Sequence, residues 1–371
     1  MDKLKSPSDK VLYQAIMEMQ EPVVFQHMLQ NEKGEYCWKL LEWNLSELAE
    51  KFGDIKLPFR LGYNARSMTP QWEINCSTVS ITLSYFIQNM NLHEDHGQWF
   101  DIDKTGDDST LWIGSKGAHT NCHQDSYGCN LVAQIHGSKQ WLLFPPSSSN
   151  FLQPTRIPYE ESTIYSKYNF FCPTKEDEIN ILKIQDTARL VTLEPGDVLF
   201  VPPGWWHYVE SLELTVSVNI WLPIITDNVS RVKEAIVKLI VTRIGKDVNN
   251  VPNDTECIDL LNIAIGECKT MTNVESSSEK IKRNIWTAKD LVTEYPIYVK
   301  LLRELSHTEL KEFLGMKRER FPEVYIESVK EDSKPHIDIQ NTYASQDLTE
   351  KVVNALCHPD VVNKVSELLL S

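Results

Sequence analysis

The sequence predicts a mainly β core, a sandwich or a barrel, placed between an N-terminal segment with helices and a helical C-terminal region. Short apolar runs separated by turn residues fill residues 110–223, a pattern typical of sandwiches and barrels. After Asp227 the apolar residues recur at helical spacing. Several predicted strands carry polar residues along one face, which favours a core with a lined cavity over a dry one.

The N-terminal segment predicts helices over residues 8–53, with one short strand between them. Asp9 is expected to cap the first helix, whose apolar residues recur at helical spacing. A second helix is predicted from Glu42 to Phe52, and the apolar run 21–25 predicts the strand. Residues 56–88 predict short strands joined by turns.

The central region predicts a series of strands with turn signals between them. They cover residues 111–114, 130–137, 141–144, 190–193, 198–201 and 215–222. Two of these strands alternate polar and apolar residues, so that Asn130 shares a face with Gln134 in one and Asn219 lies on the polar face of the other. Residues 147–169 predict a long loop.

The C-terminal region predicts a helix whose apolar stripe runs from Val229 to Ile240 and which ends near Gly245. Further helices are predicted over 254–270, 279–292, 295–305 and 308–315, followed by a polar loop over 328–346 and a final helical pair over 347–357 and 360–370. The predicted organisation is an N-terminal part over 1–108, a core over 109–226 and a helical region over 227–371.

Composition narrows the classes of function and location. The formal net charge of −15 and the pI near 5.2 argue against binding to nucleic acid through a broad basic surface. No apolar run approaches the roughly 20 residues of a membrane span, and the first residues lack the apolar core of a signal peptide. Eight cysteines occur without a CxxC pair, so we expect reduced thiols and a cytoplasmic protein, with the nucleus as the alternative location.

Three residues match the pattern of a metal site. His123 and Asp125 are two positions apart, so in a strand their side chains point to the same face. His207, which follows a strand and a Pro-Gly turn, would complete a set of two histidines and one carboxylate. This facial triad leaves one side of the metal open and is typical of non-haem Fe(II) oxygenases. Taken separately, the tripeptide also fits a polar loop, and His207 fits a core histidine bonded to backbone.

Four further residues fit a cosubstrate beside such a metal. Lys139 begins a predicted strand next to the polar face, where a buried lysine needs a partner that a dicarboxylate cosubstrate would supply. Thr120, Asn130 and Asn219 offer uncharged donors for carboxylate or carbonyl oxygens. Each of the four residues also fits a purely structural interpretation. Lys139 fits a solvated turn lysine, and the other three fit ordinary hydrogen-bonded turn or strand positions.

In order and spacing, these residues resemble the JmjC family of Fe(II)- and 2-oxoglutarate-dependent oxygenases. The likeness lies in residues 119–125 (HTNCHQD), 130–141, 144–146, 194–203, 205–207 and 217–221, and it extends over residues 18–245. Within the family the chain is similar to the asparaginyl-hydroxylase-like branch. Inside that branch it resembles a group of proteins associated with small heat shock proteins, on residues 109–115, 126–130, 154–162 and the C-terminal end.

The resemblance implies a double-stranded β-helix of the cupin or jelly-roll type, with Fe(II) bound by His123, Asp125 and His207. It implies a dioxygenase that converts 2-oxoglutarate to succinate and CO2 while it oxidises a second substrate. A protein hydroxylase is favoured over a histone demethylase, because no zinc-binding or reader motif accompanies the predicted barrel.

The resemblance also implies roles around the cosubstrate. Lys139, assisted by Thr120, would pair with the distal carboxylate of 2-oxoglutarate, and Asn130 and Asn219 would contact the cosubstrate or the coordination shell. The sequence departs from the usual family pattern at residues 136 and 138 and in a short loop over 85–109. Contacts to the second substrate are expected in this loop and in residues 147–189.

Two alternative functions stay open. A non-catalytic interaction protein of the same fold would bind a small heat shock protein, with amphipathic surfaces in the region 227–371. A tRNA-modifying oxygenase is disfavoured by the net charge of −15. The resemblance further suggests a homodimer through the C-terminal helices, although packing against the core explains the stripe from Val229 to Ile240 equally well.

Overall fold

Two antiparallel sheets pack face to face in the computed structural model of this protein. The structure describes residues 6–31, 33–67, 69–89, 98–105, 109–184, 187–245, 257–275, 286–321 and 339–371, with only the backbone described for 98–105, 271–275 and 339–347. The sheets confirm the predicted mainly β core. Helices flank the sheets on both the N-terminal and the C-terminal side of the sequence, as predicted.

The strands are β1 (Val23–Phe25), β2 (Lys56–Tyr63), β3 (Ser77–Thr82), β4 (Gln98–Thr105), β5 (Thr110–Gly114), β6 (His119–Asp125), β7 (Cys129–His136), β8 (Lys139–Phe144), β9 (Pro154–Thr155), β10 (Thr163–Ser166), β11 (Arg189–Leu193), β12 (Val198–Val201), β13 (Trp206–Ser211), β14 (Thr215–Leu222), β15 (Val299–Leu301) and β16 (Arg303–Glu304). The larger sheet has the order β15-β1-β12-β7-β14-β5-β4-β2-β3, and the smaller sheet the order β16-β11-β8-β13-β6-β10-β9.

The order of the strands is that of a jelly roll. From β5 to β8, and again from β11 to β14, successive strands alternate between the two sheets. This alternation winds two antiparallel ribbons around one core, which confirms the double-stranded β-helix. Strands β1 to β4 and β15 extend the larger sheet beyond the core strands on its two sides.

The helices are α1 (Asp9–Glu18), α2 (Leu45–Phe52), α3 (Leu83–Asn89), α4 (Lys175–Ile181), α5 (Asp227–Ile244), α6 (Cys257–Glu275), α7 (Ala288–Glu294), α8 (His307–Glu319), α9 (Ile339–Leu356) and α10 (Pro359–Leu370), with short 3-10 turns at Lys39–Leu41, Glu73–Asn75 and Pro146–Phe151. No helix within the described ranges is both long and apolar enough to span a membrane.

Helix caps explain where the N-terminal helices begin. Ser8, and not Asp9, caps α1, because its hydroxyl accepts the Val11 N–H. Helix α2 starts later than predicted, since Asn44 and Glu47 form a capping box there. Residues 83–89 form helix α3, where only strands and turns were predicted.

Two predictions of secondary structure were wrong because the segments pair with strands elsewhere in the fold. Residues 295–305, predicted as a helix, contain β15 and β16, which pair with β1 and β11 at the edges of the two sheets. Residues 147–169, predicted as a loop, contain a 3-10 turn, β9 and β10. These strands are two to four residues long, and β10, β15 and β16 pair with strands distant in sequence, which local spacing does not reveal.

The predicted C-terminal helices are otherwise present with shifted ends. Part of the helix predicted over 279–292 and most of the loop predicted over 328–346 lie outside the described residues. The last part of that loop is wrong, because α9 begins at Ile339. The stripe on α5 is buried inside the chain, where Val232 and Ile236 pack with α6 and α10, and Val237 packs with α9.

Candidate metal centre

Two neighbouring strands of the smaller sheet carry the predicted metal ligands. His123 and Asp125 lie on β6, and His207 lies on β13. The strands pair antiparallel with His207 directly opposite His123, which brings cross-strand side chains close together. The two imidazole centroids are 4.1 Å apart. The register of one strand pair therefore builds the site.

The ligand atoms converge on one point. Nε2 of His123 lies 3.7 Å from Oδ1 of Asp125, and Nε2 of His207 lies 3.9 Å from Oδ2 of the same carboxylate. One ligand atom from each of the three residues falls within 4.8 Å of the others. Nitrogen and oxygen atoms about 2 Å from a shared centre have such separations.

Backbone carbonyls orient both imidazoles. Nδ1 of His123 lies 2.9 Å from the Asn121 carbonyl oxygen, and Nδ1 of His207 lies 3.1 Å from that of Trp205. A carbonyl only accepts, so each Nδ1 carries the hydrogen and each Nε2 keeps its lone pair for a metal. Burial lowers the pKa of His207 to about 4, which keeps this imidazole neutral at physiological pH.

The carboxylate ligand has its own support. Nε1 of Trp221, on β14 of the larger sheet, donates to Oδ2 of Asp125 over 3.1 Å. Trp221 was placed on the polar face of its strand by the sequence, two positions after Asn219, but no role was predicted for it. Its position on that face was the signal that could have assigned it to the site.

A cavity of about 510 Å³ opens on these ligands. Its wall includes every site residue predicted from the sequence, namely Thr120, His123, Asp125, Asn130, Lys139, His207 and Asn219. The structure therefore brings all the predicted residues to one cavity between the two sheets. Their roles toward a metal and a cosubstrate belong to the proposal below.

Lys139 is buried in the wall of this cavity, with 8% of its surface exposed. It starts β8 in the smaller sheet, and its Nζ donates to the hydroxyl oxygen of Ser217 on β14 over 2.8 Å. The sequence identified the lysine but missed Ser217, since the contact joins opposite sheets. Burial of the charge indicates that this end of the cavity is suited to an anionic group.

The two predicted asparagines form a chain with a tryptophan. Nε1 of Trp112 donates to Oδ1 of Asn219 over 2.8 Å, and Nδ2 of Asn219 donates to Oδ1 of Asn130 over 3.0 Å. Because an indole N–H only donates, the orientation of both amides is determined. Asn130 is left with its amide N–H groups as donors, and it lines the cavity.

Thr120 makes a contact that the sequence did not predict. Its hydroxyl donates to Oε1 of Glu73, whose other carboxylate oxygen accepts from Nη1 of Arg60 at 2.5 Å. Glu73 is buried and lines the cavity. Glu73 lies in a 3-10 turn and Arg60 on β2, both in the N-terminal part of the chain, where no motif pointed to them.

Residues 160–165 form another part of the cavity wall. Strand β10 pairs with β6 so that Tyr165 lies opposite His123, and the two ring centroids are 5.9 Å apart. The Tyr165 hydroxyl donates to Glu160 over 2.5 Å, and burial raises the pKa of the Glu160 carboxyl. This segment lies within the region 147–189, where contacts to a second substrate were predicted. The other predicted region is described only in part, because residues 90–97 and 106–108 lie outside the described ranges.

A buried ion pair attaches helix α5 to this segment. The Glu234 carboxylate accepts from the Arg156 guanidinium, with one N–O distance of 2.9 Å, and from the hydroxyl of Ser126 at 2.7 Å. It also accepts from the backbone N–H of Ser162 at 3.2 Å. The C-terminal helical region thus contacts the residue that follows Asp125 and the loop beside the cavity.

The cysteines near the triad are not ligands in this arrangement. Cys122 points from β6 into the apolar core on the other side of the strand, as predicted, and burial raises the pKa of its thiol. All eight cysteines are free thiols.

Comparison with known proteins identifies the family. A family model described as "Cupin-like domain" matches residues 64–227. The HSPB1-associated protein 1 homolog of Danio rerio is 34% identical over 327 residues, which cover 72% of this chain and 70% of that protein. The chain belongs to the HSPB1-associated protein 1 family. The human HSPB1-associated protein 1 is 39% identical over 264 residues, 61% of this chain and 52% of the human protein, so the chain spans about half the length of this relative.

More distant similarities support the resemblance of this HSPB1-associated protein 1 family member to JmjC proteins. Lysine-specific demethylase JMJ31 of Arabidopsis thaliana is 36% identical over 111 residues, which are 30% of this chain and 20% of that protein. Arginine-specific demethylase JMJ20 of the same plant is 30% identical over 144 residues, 37% of this chain and 29% of that protein. The cupin-like domain is therefore of the JmjC type.

Proposed function

We propose that this HSPB1-associated protein 1 family member is an Fe(II)- and 2-oxoglutarate-dependent dioxygenase that hydroxylates a protein. The observation that carries the proposal is the shared cavity. The candidate ligands His123, Asp125 and His207 line the same cavity as the buried Lys139. The candidate metal ligands and a buried lysine suited to an anion thus line one cavity, which supports the binding of a metal together with an anionic cosubstrate.

The donor set fits Fe(II). Two imidazoles and one carboxylate are the ligands of the facial triad, and the Asn121 and Trp205 carbonyls orient the two imidazoles through their Nδ1 atoms. Bound there, Fe(II) would supply the activation of O2 and the oxidative decarboxylation of 2-oxoglutarate to succinate and CO2. All three ligands belong to one sheet, which leaves the cavity side of the site for the cosubstrate and O2.

The chain itself contributes binding, orientation and exclusion of water. The Lys139 ammonium group neutralises an anionic group at the inner end of the cavity, and Asn130 offers amide donors. The indole of Trp141 stacks on His207, with centroids 5.6 Å apart, and fixes this imidazole against the core. Trp221 holds the Asp125 carboxylate.

Turnover of 2-oxoglutarate tests the proposal. Succinate formed in the presence of Fe(II) and O2 is measured for the unsubstituted protein and for His123→Ala and Asp125→Ala. We expect both variants to lose turnover, while His307→Ala, at an exposed position on α8, retains it. Thermal melting of all variants controls for folding. Equal turnover in the two triad variants and the unsubstituted protein would contradict the assignment.

A second candidate function is that of an interaction protein that binds a small heat shock protein. It is supported by the names of the relatives, which are HSPB1-associated proteins in human, Rattus norvegicus and Danio rerio. Calorimetry with Fe(II) and with 2-oxoglutarate separates the two functions. If the protein binds neither, and a purified small heat shock protein does bind, the interaction function is the correct one.

We also propose a cytoplasmic location and a homodimer through the C-terminal helices. Cell fractionation tests the location. Light scattering tests the dimer, and a monomeric mass at micromolar concentration would contradict it. The family resemblance suggested the dimer, and the apolar stripe on α5 packs within the chain, so a dimer would use other residues of these helices.

A further inference from the structure

A second cavity, of about 580 Å³, lies between the smaller sheet and the C-terminal helices. Its wall includes residues of β6, β9 and β10 on one side and of α5, α9 and α10 on the other. In the described part of the chain, Asp125 is the one residue that lines both this cavity and the cavity of the metal centre. The second cavity therefore adjoins the candidate metal site but is distinct from the space that opens on it.

Most of the wall of the second cavity is apolar. The aliphatic side chains that line it are those of Ile164, Ile224, Val229, Val237 and Val362. Sites for small molecules have volumes of roughly 300–1,000 Å³ and apolar walls with a few polar groups. The size and lining of this cavity thus suit a small organic molecule with an apolar body.

The charged side chains of the wall leave one cation without an ion pair. They are Asp125, Arg156, Asp227, Lys233 and Glu234. Glu234 pairs with Arg156, and Asp125 accepts from Trp221. Asp227 accepts two backbone N–H bonds, at 2.8 Å and 2.9 Å. Lys233, half-buried on α5, has no carboxylate partner among the residues that the structure describes.

The wall also holds an amide donor without a partner. Oδ1 of Asn354, on α9, accepts from the Thr155 hydroxyl at 2.8 Å and from the Arg156 backbone N–H at 3.1 Å. A backbone N–H only donates, so the orientation of the amide is determined. Nδ2 of Asn354 is buried and has no hydrogen-bond partner within the described ranges. A buried donor of this kind is costly until an acceptor reaches it.

The two unused donors belong to neighbouring parts of the wall. Lys233 lies one helical turn before Val237 on α5. Val237 packs in one apolar cluster with Val353, the residue before Asn354. The flexible lysine side chain can therefore bring its ammonium group to the Asn354 end of the cavity.

We propose that the second cavity binds a small aliphatic carboxylic acid. Its carboxylate accepts from the Lys233 ammonium group and from the Asn354 amide, and its chain packs against the apolar wall. An acid is favoured over an amine because the carboxylates of the wall already have partners, whereas the unused groups are donors. The inference uses no property of the metal or the cosubstrate, so it is independent of the proposed function.

Calorimetry with octanoate, on the full chain kept metal-free by a chelator, tests the inference. We expect octanoate to bind, and Lys233→Gln to weaken its binding about tenfold because a charge-assisted hydrogen bond is lost. Asn354→Asp keeps the acceptor of Thr155 and Arg156 but loses the amide donor and adds a like charge. We expect it to weaken octanoate binding by about tenfold or more.

Matched controls separate this site from other lysines and from damage to the fold. Lys364→Gln removes an exposed lysine of α10, and Lys139→Gln removes the lysine of the metal cavity. We expect both variants to bind octanoate as the unsubstituted protein does. Octan-1-ol has the same chain without a charge, so Lys233→Gln should leave its binding unchanged. Thermal melting checks folding, and the Lys233 result decides if the Asn354 variant is unfolded.

The outcomes are distinct. Weaker octanoate binding in Lys233→Gln, with unchanged octan-1-ol binding, supports the inference. It is overturned if the unsubstituted protein does not bind octanoate, or if Lys233→Gln or a folded Asn354→Asp binds octanoate as tightly as the unsubstituted protein. Loss of octanoate binding in Lys139→Gln but not in Lys233→Gln would place the acid in the metal cavity and overturn the inference as well.

Discussion

Trp221 donates a hydrogen bond from its indole Nε1 to Oδ2 of Asp125 over 3.1 Å. The tryptophan belongs to the larger sheet and the aspartate to the smaller one, so this bond connects the sheets at the candidate metal site. The two oxygens of Asp125 lie 3.7 Å and 3.9 Å from the Nε2 atoms of His123 and His207. By restraining one oxygen, the indole limits rotation of the carboxylate and holds it toward the two imidazoles.

Removing this donor is expected to weaken metal binding. Trp221→Phe keeps an aromatic ring but loses the N–H, and outer partners of metal ligands typically contribute tenfold or more to affinity. We expect the dissociation constant for Mn(II), measured by calorimetry, to rise about tenfold. Trp43→Phe, in an apolar cluster away from the site, is the matched control and leaves the constant unchanged. Equal constants for both variants would show that the indole does not support the metal site.

Trp112 is expected to affect the cosubstrate and not the metal. Its N–H determines the orientation of the Asn219 amide, which in turn determines that of Asn130. Trp112→Phe removes the donor, and we expect the affinity for 2-oxoglutarate to fall about fivefold, the effect of one neutral hydrogen bond. Calorimetry with Mn(II) alone and then with 2-oxoglutarate separates the two effects.

A second variant tests the direction of this chain. Asn219→Asp still accepts from Trp112 but has no hydrogen to donate to Asn130, so it should lower the affinity for 2-oxoglutarate at least as much as Trp112→Phe. If Asn219→Asp alone has an effect, the indole does not position the amides. If Trp112→Phe weakens Mn(II) binding equally, its effect is not specific to the cosubstrate.

The sequence predicted the part of the site that depends on strand periodicity. His123 and Asp125 had to share a face of one strand, and the alternation around Asn130 and Asn219 placed both amides on the polar face of theirs. The turn before His207 indicated a strand end next to the core. Strand periodicity and the sequence motif together therefore predicted that these residues share one site, although the order of the strands in the sheets was not known.

The contacts that the sequence missed are those that join distant elements. The Lys139–Ser217 bond crosses between the sheets, and Glu73 reaches Thr120 from a 3-10 turn in the N-terminal part. Their geometry depends on how the sheets pack, which has no periodic signal in the sequence. The same reason explains β15, where pairing with β1 prevailed over helical spacing.

Glu234 is expected to be important for stability. Its carboxylate is 3% exposed and accepts from Arg156, which is 6% exposed, so loss of one partner leaves the other charge buried without compensation. We expect Glu234→Gln to lower the free energy of unfolding by about 3 kcal/mol, measured by urea denaturation. Glu367→Gln, which breaks an exposed pair with Lys364, is the control and should cost less than about 1 kcal/mol.

The double variant Arg156→Met/Glu234→Leu tests the cause of this loss. It removes both charges and fills much of the same volume, so we expect it to be more stable than Glu234→Gln. A double variant that is less stable than the single one would mean that the remaining bonds of Glu234, to Ser126 and the Ser162 backbone, matter more than the charge.

His119 is expected to make stability depend on pH below neutrality. The imidazole stacks on Phe171 with centroids 3.8 Å apart, its Nδ1 donates to the Gly117 carbonyl, and burial lowers its pKa from 6.5 to about 4. Between these values the unfolded chain takes up a proton that the folded chain does not, so stability falls as the pH falls. The contribution of this residue over the window is about 3 kcal/mol. Urea denaturation from pH 7 to pH 4.5 with a chelator present measures the slope.

The variant His119→Gln separates this contribution from that of His207, whose pKa is also lowered to about 4 by burial. Glutamine does not titrate, so the decrease in the free energy of unfolding between pH 6.5 and pH 4.5 should be about half as steep as in the unsubstituted protein. His307→Gln, at an exposed position on α8, should leave the slope unchanged. An unchanged slope in His119→Gln would mean that the imidazole becomes protonated in the folded protein as readily as in the unfolded chain, against the burial seen beside Phe171.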